Sequence, residues 1–187
     1  MGWSTAGVLE AVPVGERLDL VAPAVAEALG SLSDADLDRV GVAAIDPALA
    51  DTAAFCERYG APVEWSANCV VVSGRREGEA RFAAALVLAT TRADVNGLIR
   101  RRLDVRKASF APMEEAVALT GMEFGGITPI GLPPGWPVLV DAAVATAPEV
   151  VIGSGIRASK LFVPGEALAA LPGAEVVEGL GRPVSPG

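Results

Sequence analysis

The sequence predicts an α+β fold: a mixed β-sheet curled towards a barrel, with helices on its outside. Three observations carry this expectation. The strand-like runs are short and β-branched, as at residues 67–72 and 150–152. They are joined both by a charged hairpin turn and by helical segments, which mixes antiparallel pairs with crossovers. A chain of 187 residues that is 51 % apolar is long enough to bury one core.

The composition also excludes whole classes of chemistry. The chain contains no histidine, so a serine–histidine or cysteine–histidine pair is ruled out and a zinc site is not expected. Two cysteines, Cys56 and Cys69, do not make a disulfide framework. No apolar run approaches the eighteen or so residues of a membrane helix. The N-terminus MGWSTAGVLE lacks a basic segment followed by an apolar one. The expectation is a soluble, cytoplasmic protein with no cofactor, no metal and no membrane association.

The net charge of −8 is local in origin. Residues 1–60 hold ten of the 23 acids and three of the 15 bases, leaving thirteen acids against twelve bases in the rest. Six of those twelve bases fall between Arg92 and Lys107. A modest basic patch therefore remains compatible with a nucleic-acid partner, provided that few phosphates are contacted.

Taken in order, residues 1–45 read as an acidic arm with short helices. One of these spans LVAPAVAEALGSL, with Pro23 in its first turn and Gly30 past its end, and another starts at Ser33. Asp46-Pro47 opens a helix running to Tyr59, stopped by Gly60. Residues 67–72 and 80–89 form a hairpin around the charged turn SGRREGE. TRADVNGLIRRRL reads as a helix over 91–103, capped by Thr91 with Asp94 at its third position. Its Arg100, Arg101 and Arg102 sit where cations complement the helix dipole.

Residues 105–110 form a short strand bearing Lys107, one of two lysines against thirteen arginines. It is either a surface residue or one chosen for chemistry, since a lysine shifts its pKa readily. A helix over 112–119 stops at Gly121. Strands follow at 136–140, 150–152, 161–163 and 174–177, with a short helix at 166–171 before the tail of residues 181–187. Asp141, ending the first of these strands, is a turn or cap residue or a polar member of a site. VVIGSGIRA nominally fits a dinucleotide fingerprint, but Pro164-Gly165 breaks the helix such a site requires.

The stretch with most character is TGMEFGGITPIGLP, residues 120–133, with four glycines and two prolines and Pro134 directly after. Glycine permits positive φ and close backbone approach, while proline rigidifies, so the loop is suited to displaying bare backbone groups. The motif TG-x-E-x-GG-x-[ST]-P-x-G-LP resembles the signature loop of the YbaK/EbsC family. These are aminoacyl-tRNA deacylases related to the editing insertion of bacterial prolyl-tRNA synthetases. The similarity runs from about Asp51 to Glu178, and the family's G-x-x-x-P element falls on Gly125 to Pro129.

The resemblance implies the same α+β fold, in a deacylase domain over 46–180, and no metal. It implies a pocket between the loop, the 67–72 strand and the 153–157 turn. It further implies hydrolysis of the ester of a mischarged aminoacyl-tRNA, acting in trans, with the acceptor end of the tRNA as partner and a synthetase as a further one. In that picture Gly125, Gly126 and Thr128 orient the reacting carbonyl, with Phe124, Ile127 and Pro129 shaping the loop wall. Arg157 meets a phosphate or the terminal ribose beside Ser154 and Gly155, and Asp141 supports polar order. One departure stands out. Family members carry a lysine on the 67–72 strand where this chain has Asn68, which keeps hydrogen-bonding capacity without charge. Lys107 is the candidate to compensate. The alternative is a non-catalytic module holding tRNA ends or aminoacyl groups, and a third reading makes the acidic arm a docking surface for a protein partner.

Overall fold

The fold was examined in a computed structural model that describes residues 2–184. Its longest elements are the strands β3 (Ala67–Arg76) and β4 (Glu79–Leu88), a hairpin longer at both inner ends than expected. The turn consists of Glu77 and Gly78, with φ of 54° and 86°. Two successive left-handed residues make the tight turn that matches strand twist, so the charged residues around it belong to the strands.

Beyond β4 come β5 (Thr91–Ala93), α4 (Arg100–Leu103), β6 (Ala108–Phe110), α5 (Met113–Thr120) and β7 (Val138–Asp141). They are followed by α6 (Ala142–Ala145), β8 (Val150–Gly153), β9 (Ser159–Val163), α7 (Gly165–Ala169), β10 (Ala174–Val177) and β11 (Gly181–Pro183). A five-stranded sheet has the order β10-β7-β4-β3-β6. Its β4–β7 and β7–β10 pairs are parallel, and its β3–β4 and β3–β6 pairs antiparallel. The mixed α+β class is therefore observed. β4 lies at the centre, and its consecutively buried Ala83 to Val87 are the signature of a strand covered on both faces.

The sheet does not close into a barrel. The described strands form three sheets, and the five-stranded one touches the next through a single isolated bridge, Ser66 to Val151. Gly- and Pro-rich connections end the strands before a continuous ladder can form.

The second sheet corrects the reading of residues 1–45 as an arm. β1 (Val12–Pro13) and β2 (Gly41–Ala44) continue it in the order β1-β2-β9-β8, with Ala43 opposite Lys160. α1 (Pro23–Leu29) contributes Val25 and Leu29 to the main core, alongside Val14, Val21, Val40 and Val42 from the surrounding segments. Small apolar residues in such short runs carry little periodic signal, yet once packed they exclude water as well as larger ones. Its companion α2 (Asp34–Leu37) stays on the surface, capped by Ser33.

Two helices also change form. The expected 47–59 helix splits into a single turn, Pro47–Leu49, capped by Asp46, and α3 (Thr52–Tyr59). The expected 91–103 helix begins as a strand instead, because Thr91–Ala93 pairs antiparallel with β11. The cap moves to Asp94, which accepts from the N–H groups of Gly97 and Leu98 at 3.1 and 3.0 Å. The turn after it, Val95–Ile99, is of π type and leads into α4. Part of the expected tail, residues 181–183, is thus an ordered strand, and residues 185–187 lie outside the described residues. No helix among the described residues is long and apolar enough to cross a membrane.

Candidate functional site

β3 loses its neighbours at one end. On the side away from β4, β6 pairs only with Val72 to Gly74, and β8 bridges only to Ser66, the residue before the strand. The free edge between, residues 67–70, borders a cavity of about 560 Å³, and the Val71 carbonyl beyond it accepts from the Ala111 N–H at 2.9 Å. Asn68, Cys69 and Val70 form one wall, and Phe110, Met113 and Ala116 a second. Phe124, Gly125 and Ile127 of the glycine-rich loop form a third, and Gly153, Lys160 and residues 50–52 complete the lining. A cavity of this size with mostly apolar walls and a few converging polar groups is the ordinary form of a small-ligand site.

The loop is held to the 153–157 turn backbone to backbone. Glu123 donates its N–H to the Gly155 carbonyl (2.9 Å), and Gly155 donates to the Gly126 carbonyl (2.7 Å). A Cβ on Gly126 would lie 2.7 Å from the backbone of Ile156, so no larger residue fits without moving the turn. The N–H of Gly126 is used within the loop, bonded to the Glu123 carbonyl at 2.9 Å. By contrast, the N–H groups of Gly125 and Ile127, both cavity-lining, donate to no acceptor among the described residues. The bare backbone donors expected of this loop therefore sit at Gly125 and Ile127.

Arg157 fastens the same corner. Its backbone N–H donates to a Glu123 carboxylate oxygen (2.6 Å), and its guanidinium donates to the Pro47 carbonyl (3.1 Å) and approaches Asp51 at 3.8 Å. Gly125, with φ of 86°, lies directly under it: a Cβ there would be 2.2 Å from the guanidinium. Asn68 is exposed at the cavity rim and accepts a hydrogen bond from the Thr52 hydroxyl (2.9 Å). It keeps polar order but adds no charge.

Other expected site residues lie elsewhere. Thr128 and Pro129 are buried and do not line the cavity, and the Thr128 hydroxyl is the one buried side-chain polar atom without a partner among the described residues. Ser154 is fully buried, its hydroxyl occupied with the carbonyls of Ile156 and Ser159. Asp141 caps α6 through the Ala143 N–H (2.8 Å) and also accepts from the Gly181 N–H, so it ties β7 to β11. Lys107 is far from Asn68 along β3. It borders a separate hollow of about 410 Å³ with Ser73, Arg75, Arg106, Ser109 and Glu115. The expected strand begins only at Ala108, which leaves Lys107 exposed before it.

The residue that sequence reading missed is Lys160. It is 8 % exposed, on β9, and donates to the Ala50 carbonyl at 2.7 Å with its ammonium 5.4 Å from the Phe55 ring centre. Burial pushes its pKa down to about 8; the Arg157 charge acts in the same direction, and Asp51 and Cys56 oppose. The signal was a lysine directly before the apolar run Leu161–Val163, in a strand with no polar face. Cys69 also lines the cavity, but burial pushes its thiol up to about 12, so it is no thiolate nucleophile at neutral pH.

Residues 46–171 match the family model described as the aminoacyl-tRNA editing domain. Among solved structures, a candidate trans-editing enzyme for prolyl tRNA synthetase is 25 % identical, with a TM-score of 0.67, and the alignment covers 84 % of this chain and 97 % of that one. A scaffold from epitope backbone grafting by computational design is 22 % identical with a TM-score of 0.69, covering 88 % and 100 %. A hypothetical protein is 21 % identical with a TM-score of 0.62, covering 71 % and 85 %. The last two show likeness of fold. No curated protein matched the chain.

Proposed function

The chain belongs to the aminoacyl-tRNA editing domain family, and from that premise we propose that it is a trans-acting aminoacyl-tRNA deacylase. The observation that carries this reading is the cavity itself, lined both by β3 and by Gly125 and Ile127, whose N–H groups have no acceptor among the described residues. In this reading the aminoacylated 3′ end of the tRNA enters beside Asn68. The ester carbonyl lies against the loop, whose preorganised donors stabilise the oxyanion that forms when water adds. The C–O bond to the ribose then breaks, the ribose oxygen takes the proton, and the amino acid and free tRNA leave. This route uses no protein nucleophile: positioning and the substrate's own ribose hydroxyl supply the rest.

The walls of Val70, Met113, Ala116 and Ile127 favour a small apolar aminoacyl group by exclusion of larger ones, the logic of a second sieve. Likeness to a candidate trans-editing enzyme supports action in trans. The hollow lined by Arg75, Arg106 and Lys107 is assigned to the phosphates of the acceptor stem, since it shares β3 and the flank of α5 with the cavity. This is the role given to Lys107 in place of compensation at Asn68.

The test is deacylation of a panel of correctly and incorrectly charged tRNAs, beginning with mischarged tRNA for proline. Turnover of at least one mischarged species is expected. A protein that binds charged tRNA but hydrolyses no member of the panel would be a binding module instead.

A further inference from the structure

The cavity lining contains one lysine, Lys160 of β9. Lys160 stands on a strand whose five residues are all buried, between Ala43 of β2 and Gly153 of β8. Its ammonium makes one hydrogen bond among the described residues, to the Ala50 carbonyl, although an ammonium carries three donors. No carboxylate among the described residues forms an ion pair with it. A buried charge left this incompletely paired costs stability, and a methionine of similar shape would fill the same space without that cost.

We propose that Lys160 is a ligand-binding residue of this site, its spare N–H donors taking the acyl carbonyl oxygen of the bound aminoacyl ester. The oxygen becomes negative as water adds, so the interaction strengthens along the reaction, in concert with the loop N–H groups. The ammonium itself lies against the Phe55 ring and donates to the Ala50 carbonyl, which limits its freedom and preorganises it. Gly153, opposite Lys160 across β8 and β9, brings no side chain to the wall they share. This inference rests on the ester-hydrolysis reading for the identity of the oxygen, but not for the location of the donor.

The charged and titratable groups around Lys160 are Arg157, Asp51 and Cys56, while Ala43 and Gly153 on the flanking strands do not titrate. Its charged form thus predominates at neutral pH and is lost as pH rises through about 8.

The experiment compares wild type with Lys160→Met and Lys160→Arg in three measurements. These are single-turnover deacylation from pH 6 to 10, calorimetric affinity for an amide-linked aminoacyl-adenosine without phosphate and for adenosine 5′-monophosphate, and Tm. Lys160→Met is expected to lose roughly 100-fold in rate. It should bind the amide analogue about tenfold more weakly, leave monophosphate binding unchanged, and raise Tm by about 4 °C. Its rate should also lack the break expected near pH 8 in wild type. Lys160→Arg should recover part of the analogue affinity.

Unchanged affinity for the amide analogue would overturn the proposal, as would a loss confined to the monophosphate. A lowered Tm with unchanged rate would make Lys160 a structural anchor. If wild type hydrolyses no charged tRNA, the deacylase reading fails, yet the analogue affinities and Tm values still decide whether Lys160 holds an acyl oxygen.

Discussion

The two ends of β3 each open into a hollow, and each hollow holds one of the two lysines of the chain. At the Ala67 end, Lys160 is buried among Phe55, Ala50 and the loop, and its pKa is pushed down. At the Arg76 end, Lys107 is exposed beside Arg75 and Arg106. The first environment makes a cation reactive to what binds and costly when empty. The second makes a diffuse positive surface, screened by salt and of small energy per residue. The same side chain thus serves recognition of a specific atom in one place and of a charged polymer in the other. What separates the two is the packing around them.

The sharpest break of this contrast is Gly126→Ala. The backbone of Ile156 stands where the new Cβ would go, so loop and turn must part. A destabilisation of about 2–4 kcal/mol is expected, with loss of activity at the Lys160 end and unchanged weak tRNA binding at the Lys107 end. Denaturant unfolding together with binding assays checks it, and a variant as stable and active as wild type would refute the backbone contact.

The burial of Lys160 makes a pH prediction of similar size. A lysine whose folded pKa is lowered to about 8 binds fewer protons folded than unfolded between that value and its ordinary value of 10.5. Its penalty is therefore full below pH 8 and fades as pH rises to about 10.5. The stability advantage of Lys160→Met over wild type should be on the order of 3 kcal/mol at pH 7, less the lost Ala50 hydrogen bond of about 1 kcal/mol, and should shrink by pH 10. Chemical denaturation at both pH values measures this directly. A constant difference would mean that the group is not desolvated.

Gly125→Ala is gentler. The left-handed φ costs about 1–2 kcal/mol, and the obstructing atom is the mobile end of Arg157. Activity should fall about tenfold, more than affinity for the bare tRNA does, and equal losses in both would place the loop outside the chemistry. At the other hollow, replacing Arg106 and Lys107 by alanine should raise KM several-fold. It should also flatten the salt dependence of binding by about one unit of slope per residue while leaving kcat unchanged. A change in kcat would erase the contrast between the two ends. The smallest effect belongs to Thr128→Val, which removes an unpartnered buried hydroxyl. Stability should hold or rise by up to about 1 kcal/mol, with full activity; a large rate loss would restore Thr128 to the site.

Much of this was readable from the chain. The hairpin, the helix caps at Ser33 and Gly121, the β-branched strand segments and the glycine-rich loop all rest on local chemistry: turn residues, capping residues and β-branched runs. The expectation of a pocket between the glycine-rich loop and the 67–72 strand came from the family resemblance that the loop motif carries. Thr91 misled because its capping pattern is local, whereas its pairing with Gly181 to Pro183 is formed across the whole domain. Residues 2–45 misled because their short alanine and valine runs have too little periodicity to announce a core.

The sequence by itself determined the fold class, the loop and the absence of histidine chemistry, since backbone preference and residue inventory act within a few positions. Tertiary structure alone decided which lysine is buried, which loop N–H groups stay free, and that Asp141 is a cap. Burial and pairing depend on neighbours more than a hundred residues away, as Lys160 and Ala50 are, and no local pattern encodes them.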